Sequence, residues 1–381
     1  MTGAGEPAKE SRHPVVWAEI DLSALRANFA LARRRAAGRR VIPVVKADGY
    51  GHGAVRIAGT LVRAGADGLA VAVLEEALEL RALGLELPIL LLQGVRSPQE
   101  ADLAVARRAA PALSHAAQLD WLEAAAARAG RRVGLHLKLD TGMSRLGFGL
   151  AELDAALDRL ARSPHLALDG LMTQLAESDL PGSEHTAAQR ARFAGALGRV
   201  RERGFDPGWV HADPSGGLLS GPTEGCTAVR PGLMLYGVDP RSGVSEPELA
   251  PVMSVRCRAI HARDVTAGTR IGYGGTHVTA RPTRILTLPI GYADGLPRAA
   301  GDRWSVLVDG APAPLVGRVS MDLAAVDVGP ESPSGIGSEV LIFGRRGRQR
   351  LPVDALAGAL GRAAYEILTG IGPRVSRIAT G

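Results

Sequence analysis

Short apolar runs alternate with helix-period segments between residues 41 and 237 of the chain. Between them lie segments such as LEEALELRALG, which are rich in Ala, Leu, Glu and Arg and often end at Gly, as helices do. Continuous apolar runs joined by helices predict parallel strands that are buried on both faces. Eight units of this kind predict an α/β fold with a (β/α)8 TIM-like barrel. The runs are 41–46, 67–72, 88–92, 111–113, 133–139, 166–173, 209–212 and 228–230.

A doubly wound parallel sheet is the competing architecture for such a pattern. It would contain fewer strands, and it usually carries a Gly-rich turn that binds a nucleotide. The chain has no GxGxxG segment, so the barrel is favoured.

The pattern changes beyond about residue 250, where Gly, Pro and Thr become frequent. Short β-like runs appear there, including VMSVRCRAI, RILTLPI and EVLIFG, and only 353–368 has a helical pattern. These features predict a mainly β C-terminal domain after the barrel. We expect a disordered polar lead at 1–13, a barrel domain at 14–245 and a C-terminal domain at 246–381. A first strand at 14–22 precedes the barrel and is free to pair with the C-terminal domain instead.

Composition narrows the function classes. The net charge is +6, but the arginines are scattered and lack interleaved aromatic residues, so no nucleic-acid partner is expected. No run of about 18 apolar residues is present, so no membrane span is predicted. The start of the chain lacks the apolar core of a signal peptide, which favours a cytoplasmic protein. Cys226 and Cys257 lie far apart without CxxC spacing, so neither a metal site nor a disulfide framework is expected.

Lysine is scarce, because Lys and Arg total 45 but only Lys9, Lys46 and Lys138 are lysines. Lysine can lose its proton and form an imine or a carbamate, which arginine cannot do. Lys9 lies in the polar lead, whereas Lys46 ends the first apolar run, where barrel enzymes place reactive groups. Lys138 lies near Asp140 and Arg145 in HLKLDTGMSRLG. The structural alternative for Lys46 is a lysine at a strand end whose amine reaches out to solvent. For Lys138, Asp140 and Arg145 it is a set of ion pairs on the surface.

The loops after the last two runs, HADPSGG and RPGLMLYG, are suited to binding an anion. Loops in these positions form the usual phosphate site of a barrel. Ser215, Gly216, Gly232 and the backbone N–H of Leu233 allow close approach to a phosphate, and Arg230 comes two residues before Gly232. Together with Lys46, these residues indicate a cofactor with a phosphate group and with its carbonyl end near the lysine.

Four of the five tyrosines are adjacent to glycine. Such tyrosines are more typical of tight, exposed turns than of a core, although a tyrosine at the edge of a small β domain is the alternative. The residues are Tyr50, Tyr236, Tyr273 and Tyr292.

The order of motifs along residues 16 to 377 resembles the alanine racemase family. The matching segments are AEIDLSALRAN, VVKADGYGHG, KLDTGMSRLG, RPGLMLYG, GYGGT, LPIGYADGLPR and VGRVSMDL. The resemblance implies pyridoxal 5'-phosphate as cofactor and the interconversion of L- and D-alanine, the latter a peptidoglycan precursor. It also implies a homodimer whose active sites are shared between the two chains.

The resemblance further implies roles for individual residues. Lys46 corresponds to the lysine that holds the cofactor as a Schiff base and acts as one catalytic base. Tyr273, supplied by the partner chain, corresponds to the opposite base. Arg230 corresponds to the arginine that faces the pyridine nitrogen. The residues at phosphate-binding positions are Tyr50, Ser215, Gly232 and Leu233.

The same comparison of motifs suggests contacts for the substrate. Arg145 corresponds to a residue near the cofactor hydroxyl and the substrate carboxylate. Lys138 resembles a lysine that is often carbamylated and then orients that arginine. Met321 resembles a contact to the substrate carboxylate from the partner chain, and Tyr292 a tyrosine at the active-site entrance.

Four positions depart from the family pattern. Gln174 replaces a histidine that contacts the arginine at the Arg230 position; its amide can still bond Arg230 but cannot titrate. Pro214 replaces Asn, Ser320 replaces Cys, and Pro373 stands where some members have a phosphate-binding Tyr.

Four functions compete with that of an alanine racemase. They are a serine or broad-specificity racemase, a decarboxylase on the same scaffold, a non-catalytic cofactor-binding module, and a degenerate homologue of low activity.

Overall fold

The computed structural model describes residues 14–381. The expected disordered lead at 1–13, with Lys9, lies outside the described residues. The chain divides into two compact units. One comprises the described residues up to Ile20 together with Met253–Ile378, and the other comprises Asp21–Val252 with Ala379–Gly381.

The first two-thirds of the chain alternates strands and helices. The strands are β1 (Val16–Asp21), β2 (Arg40–Val41), β3 (Leu69–Val71), β4 (Ile89–Leu91), β5 (Ala109–Leu113), β6 (Val133–Asp140), β7 (Phe148–Gly149), β8 (Leu166–Met172), β9 (Trp209–His211) and β10 (Ala228–Val229). The helices are α1 (Leu22–Ala36), α2 (Lys46–Tyr50), α3 (Ala54–Arg63), α4 (Leu74–Ala82), α5 (Pro98–Ala106), α6 (Ala116–Arg128), α7 (Leu153–Ala161), α8 (Glu184–Glu202) and α9 (Ser215–Leu219).

Eight of these strands close into a parallel barrel. The order β3-β4-β5-β6-β8-β9 is continuous, and β10 pairs in parallel with β2. A parallel bridge between Val44 and Ala70 joins the β2 side to β3. On the other side, the Thr227 N–H donates to Val210 O at 2.8 Å, which joins β9 to β10. The predicted (β/α)8 barrel is confirmed, and each of the eight apolar runs overlaps one of its strands.

Local sequence signals set the bounds of several helices. Asp21 caps the N-terminus of helix α1, because its side chain accepts a hydrogen bond from the Ala24 N–H at 2.9 Å. Ser97 caps helix α5 in the same way, and Pro98 is the first residue of that helix. These caps satisfy backbone N–H groups that have no partner within a helix.

The first apolar run differs from its prediction as a strand over 41–46. The regular strand ends at Val41, although Val44 and Val45 still pair with Ala70 of β3, and Lys46 begins the short turn α2 instead of ending a strand. Ala47, Asp48 and Tyr50 have φ values of 53°, 52° and 55°. Left-handed backbone is costly for residues other than glycine and persists only where the surroundings enforce it. The hydrophobic pattern could not reveal this turn because it depends on hydrogen bonds to distant residues.

The remaining elements form a mainly β unit, as the sequence predicted. Its strands are β11 (Met253–Arg258), β12 (His261–Val265), β13 (Arg270–Ile271), β14 (His277–Val278), β15 (Thr283–Leu288), β16 (Ser305–Val308), β17 (Ala311–Pro314), β18 (Ala324–Asp327), β19 (Glu339–Arg346), β20 (Gln349–Leu351) and β21 (Ser376–Thr380). The main sheet has the order β17-β16-β19-β11-β1-β21, and β1 runs antiparallel to β11. The predicted helix at 353–368 is two helices, α10 (Val353–Ala359) and α11 (Ala364–Thr369).

Candidate active site

Lys46 lies at the carboxyl end of the first barrel strand. It follows Val45, whose N–H donates to Ala70 O at 2.9 Å and so continues the pairing with β3. Burial lowers the pKa of the Lys46 amine, and the charges of Arg145 and Arg230 lower it further, while Glu76 acts in the opposite direction. A lowered pKa makes the neutral, nucleophilic amine more accessible near neutral pH.

Lys138 lies in the barrel interior on β6. Side chains alternate along a strand, so Lys138 shares a face with His136, and both are buried. Burial lowers the pKa of Lys138 to about 8, and the charges of Arg230, Arg145 and Lys46 act in the same direction. The charge of Asp140, which lies two residues further along the chain, acts in the opposite direction.

Arg145 follows a turn that is fixed by one carboxylate. Asp140 Oδ1 accepts hydrogen bonds from the N–H groups of Gly142, Met143 and Ser144 at 2.9, 2.9 and 3.1 Å. The Arg145 side chain is exposed. The turn therefore positions a solvent-accessible guanidinium just beyond the end of β6.

The Arg230 side chain is buried and donates five hydrogen bonds. Its Nη2 donates to Thr173 O at 2.8 Å, to Gln174 Oε1 at 3.2 Å and to Ala212 O at 3.3 Å. Its Nη1 donates to Nδ1 and O of His211 at 2.5 and 2.9 Å. Burial lowers the pKa of Arg230 to about 10 although Asp213 raises it, so the guanidinium remains charged at neutral pH.

A second histidine extends this network. His211 Nε2 and His136 Nδ1 are 2.7 Å apart, and both side chains are buried. Burial, followed by the charge of Arg230, lowers the pKa of His136 to about 3 and that of His211 well below its usual value. Gly170 makes room for the pair, because a Cβ at this position would lie 2.3 Å from His136 Nδ1.

The predicted phosphate-binding residues come together beside β10. Ser215 Oγ accepts hydrogen bonds from the N–H groups of Gly232 and Met234 at 2.9 and 3.2 Å. A Cβ on Gly232 would lie 2.5 Å from Oη of Tyr50, so only glycine permits this approach. Leu233 begins a 3₁₀ turn at the same place. The hydroxyls of Tyr50 and Ser215 and the backbone N–H of Leu233 are donors of the kind that a phosphate monoester requires, so these residues fit such a group.

A buried carboxylate that the sequence analysis did not single out supports the Ser215 loop. Asp213 Oδ2 accepts the Thr223 N–H and Asp213 Oδ1 the Thr223 hydroxyl, both at 2.7 Å. Arg190 forms an ion pair with Asp213 at 3.2 Å and donates to Gly221 O at 2.9 Å. Pro214 directly precedes α9. The loop is therefore fixed at both ends.

The prediction of exposed turns is wrong for two of the four glycine-flanked tyrosines. Tyr50 and Tyr236 are buried, with ring centroids 4.6 Å apart, and Tyr236 Oη donates to Val44 O at 3.0 Å. Packing against the first barrel strand outweighs the local turn signal. Tyr273 and Tyr292 are 73% and 43% exposed, as predicted.

The three predicted site residues of the C-terminal unit lie on exposed turns. Tyr273 begins a 3₁₀ turn after β13. The N–H groups of Tyr292 and Ala293 donate to the carbonyls of Ser320 and Met321, both at 3.0 Å. The turns that carry Tyr292 and Met321 are thus joined, and the Met321 side chain is 54% exposed. Pro373 is exposed and, as a proline, has no N–H to donate.

Sequence analysis missed His136, His211, Glu76 and Asp213 as parts of the site. The two-residue period of β6 could have identified His136, because it places His136 on the face of Lys138. His211 is the last residue of β9, within the seventh apolar run, and was open to the same argument. Nothing in the local sequence distinguishes Glu76 from its neighbour Glu75.

Among residues 14–381, no group of three or more His, Cys, Asp and Glu side chains could hold a metal ion. Cys226 and Cys257 are free and buried. No helix in this range is long and apolar enough to cross a membrane.

Two family profiles cover most of the chain. Residues 20–240 match "Alanine racemase, N-terminal domain", and residues 252–379 match "Alanine racemase, C-terminal domain". The chain is 44% identical over 352 residues to alanine racemase of Azoarcus sp. (strain BH72), an alignment that covers 92% of this chain and 96% of the relative.

Solved structures agree with the sequence relatives. Alanine racemase from Streptomyces coelicolor A3(2) superposes with a TM-score of 0.92 at 36% identity, covering 96% of this chain and 98% of the other. Alanine racemase from Bartonella henselae with covalently bound pyridoxal phosphate superposes with a TM-score of 0.88 at 29% identity, covering 97% of this chain and 100% of the other. On the match of both domains and on these identities, the chain belongs to the alanine racemase family.

Proposed function

We propose that this chain interconverts L- and D-alanine with pyridoxal 5'-phosphate attached covalently to Lys46. The main observation in support is the set of groups around one end of the barrel. The turn that starts at Lys46 ends at Tyr50, whose hydroxyl lies against Gly232. Arg230 lies two residues before Gly232, and its charge acts on Lys46. These contacts support a single site that combines the Lys46 amine, the Arg230 guanidinium and the phosphate-binding residues.

Arg230 determines the charge at the ring nitrogen in this proposal. The bound cofactor would supply a conjugated ring that accepts the charge of the α-carbanion. A guanidinium only donates hydrogen bonds, so Arg230 favours an unprotonated ring nitrogen facing it. Its carbonyl partners hold the guanidinium plane in place. A less electron-withdrawing ring suppresses side reactions such as transamination.

Two bases on opposite faces of the substrate produce inversion. We assign one to Lys46, whose lowered pKa favours the neutral amine. We assign the other to Tyr273 of a second copy of the chain. In support, Tyr273 is largely exposed on the C-terminal unit and has a hydroxyl able to give or take a proton. A homodimer with shared sites follows from this assignment.

The remaining assignments concern the cofactor and substrate anions. Tyr50, Ser215, Gly232 and Leu233 would bind the phosphate, and Gln174 would support Arg230. Arg145 would bind the substrate carboxylate together with the Met321 turn of the second copy. Tyr292, on the turn joined to Met321, would line the entrance. Lys138, if carbamylated, would orient Arg145.

The test is to incubate the purified chain and pyridoxal phosphate with a panel of L-amino acids and to separate the enantiomers by chiral chromatography. We expect D-alanine as the main product. A preference of tenfold or more for another amino acid, about 1.4 kcal/mol in transition-state free energy, would contradict the alanine assignment. Borohydride reduction and peptide mapping should place the cofactor on Lys46. An adduct on Lys138, or none, would contradict the attachment site.

A further inference from the structure

Glu76, in the first turn of α4, uses both carboxylate oxygens to bind backbone N–H groups. Its Oε1 accepts from Ala47 at 2.6 Å, and its Oε2 accepts from Ala72 at 2.7 Å and from Val73 at 3.4 Å. Hydrogen bonds to an ionised carboxylate are shorter and stronger than those between neutral groups. Glu76 therefore links two backbone segments that are 25 residues apart in sequence, Ala47 and Ala72.

These two segments are the ones that position Lys46. Ala47 follows Lys46 directly and is the first residue of the left-handed turn, with φ 53° and ψ 54°. Ala72 follows the end of β3, the strand whose Ala70 carbonyl accepts the Val45 N–H at 2.9 Å. Glu76 thus fixes the residue after Lys46 to the same strand that already holds the residue before it. A turn with left-handed non-glycine residues requires restraint of this kind.

Charge gives Glu76 a second connection to Lys46. The cations that act on Lys46 are Arg145, from the loop after β6, and Arg230, from the loop after β10. Lys138 on β6 is a third cation in electrostatic contact with Lys46. Glu76, from α4, is the carboxylate that acts against them. Its neighbour Glu75 is exposed and pairs with Arg96 at 2.6 Å instead.

We propose that Glu76 is a positioning residue for Lys46, which fixes the strained turn after the lysine and offsets the positive charge around its amine. The proposal rests on the role of Lys46 in the proposed function. Nothing in it requires Glu76 to touch substrate or cofactor. The proposal predicts two effects that can be measured separately, one on the geometry of the turn after Lys46 and one on the protonation of the Lys46 amine.

Only three lysines occur in the chain, which makes the protonation of Lys46 measurable. In the full-length protein freed of cofactor, reductive methylation with ¹³C-formaldehyde labels the lysines, and Lys46→Arg assigns the Lys46 signal. The variants are Glu76→Gln, which removes the charge, and Glu75→Gln, the matched control. We expect the Lys46 titration to move to lower pH in Glu76→Gln and to stay unchanged in Glu75→Gln. A purely structural role would not move this titration while the fold is intact.

Pyridoxal phosphate itself is the second probe. Binding to Glu76→Gln should weaken about tenfold, because the amide group of Gln cannot accept both backbone N–H groups. Binding to Glu75→Gln should equal that of the wild type. The proposal is overturned if Glu76→Gln titrates and binds as Glu75→Gln does. An absence of any Lys46 adduct in the wild type would instead count against the proposed function itself.

Glu76→Asp keeps the test decisive if Glu76→Gln fails to fold, as judged by circular dichroism. This variant keeps the charge but is one methylene too short to span both N–H groups. We expect a Lys46 titration close to that of the wild type together with weaker binding of pyridoxal phosphate. Binding as tight as in the wild type would overturn the positioning role.

Discussion

The guanidinium of Arg230 lies 2.5 Å from Nδ1 of His211, and this contact fixes the protonation of two buried histidines. Arginine can only donate, so His211 Nδ1 must accept, and the neutral ring carries its proton on Nε2. That proton is donated to His136 Nδ1, 2.7 Å away. His136 therefore carries its own proton on Nε2. A chain of neutral donors and acceptors thus supports the charged group that would face the cofactor ring.

The hydrogen-bonded series of Arg230, His211 and His136 predicts that the protein loses stability in mild acid. The pKa of His136 is lowered to about 3 in the folded protein, whereas an unfolded histidine titrates at about 6.5. The unfolded state therefore binds more protons below about pH 6.5. The stabilisation is complete above that pH and declines as the pH falls towards about 3. Each such histidine contributes a slope of about 1.4 kcal/mol per pH unit.

The measurement is urea unfolding at about pH 7.5 and about pH 5.5 for the wild type and His136→Gln. Gln keeps an acceptor for His211 but does not titrate. Between these two pH values, the free energy of unfolding should fall in both proteins. We expect the fall to be smaller in the variant than in the wild type, by about 1 kcal/mol. Equal losses in the two proteins would contradict a neutral His136.

Lys138 is predicted to take up carbon dioxide. Its pKa of about 8 makes the neutral amine available at mildly alkaline pH, and a carbamate anion would offset the charges of Arg230, Arg145 and Lys46. With ¹³C-bicarbonate we expect a carbamate signal that grows as the pH rises through about 8 and that disappears in Lys138→Arg. A signal that persists in Lys138→Arg would assign the carbamate elsewhere.

Gly232→Ala should weaken binding of pyridoxal phosphate by about tenfold or more, because the new Cβ would lie 2.5 Å from Tyr50 Oη and must displace it. The φ of Gly232 is −121°, so alanine meets no left-handed backbone there. In the Tyr50→Phe background the same change should cost less, since the clashing hydroxyl is gone. Gly198→Ala in α8, where nothing lies within 4 Å, is the control and should bind normally. Additive losses in the double variant would show that the contact is not the cause.

The hydrophobic pattern predicted the barrel because each of its eight strands overlaps a short apolar run that is largely buried. Because strand ends of a barrel converge, it also placed Lys46 near the Gly232 loop, whereas the assignment of Tyr50 to the same site came from the family resemblance. It could not predict the left-handed turn after Lys46, which depends on hydrogen bonds to Glu76 and Asp48 from Ala47 and Ala54. The burial of Tyr236 was likewise hidden, because packing across the barrel leaves no local signal.

Shared active sites would be shown by complementation between two inactive variants. Lys46→Ala removes one proposed base from the barrel unit, and Tyr273→Phe removes the other from the C-terminal unit. If each site uses one residue from each chain, every mixed dimer contains one complete site. After full subunit exchange of equal amounts, we expect about a quarter of wild-type racemase activity. No recovery, despite exchange proven by differently tagged chains, would rule out a site built from two copies.

Gln174→His restores the residue typical of the family at a position that contacts Arg230. The present contact, from Arg230 Nη2 to Gln174 Oε1, is 3.2 Å long, whereas the bonds from Arg230 to Thr173 O and His211 O are 2.8 and 2.9 Å. Gln174 is therefore a secondary partner, and its replacement leaves the guanidinium charged and held by two backbone carbonyls. We expect Gln174→His to keep or raise kcat/KM for alanine.

The competing possibility is that Gln174 adapts the site to a larger or more polar amino acid. Gln174→His would then lower kcat/KM for that substrate while alanine turnover stays poor. Comparing kcat/KM for alanine, serine and lysine in the wild type, Gln174→His and Gln174→Ala decides between the two. The alanine variant is the control, because it removes the contact to Arg230 without adding a ring. If Gln174→His and Gln174→Ala both retain alanine as the preferred substrate, the amide is a tolerated substitution at a weak contact, since the remaining bonds of Arg230 suffice to hold it.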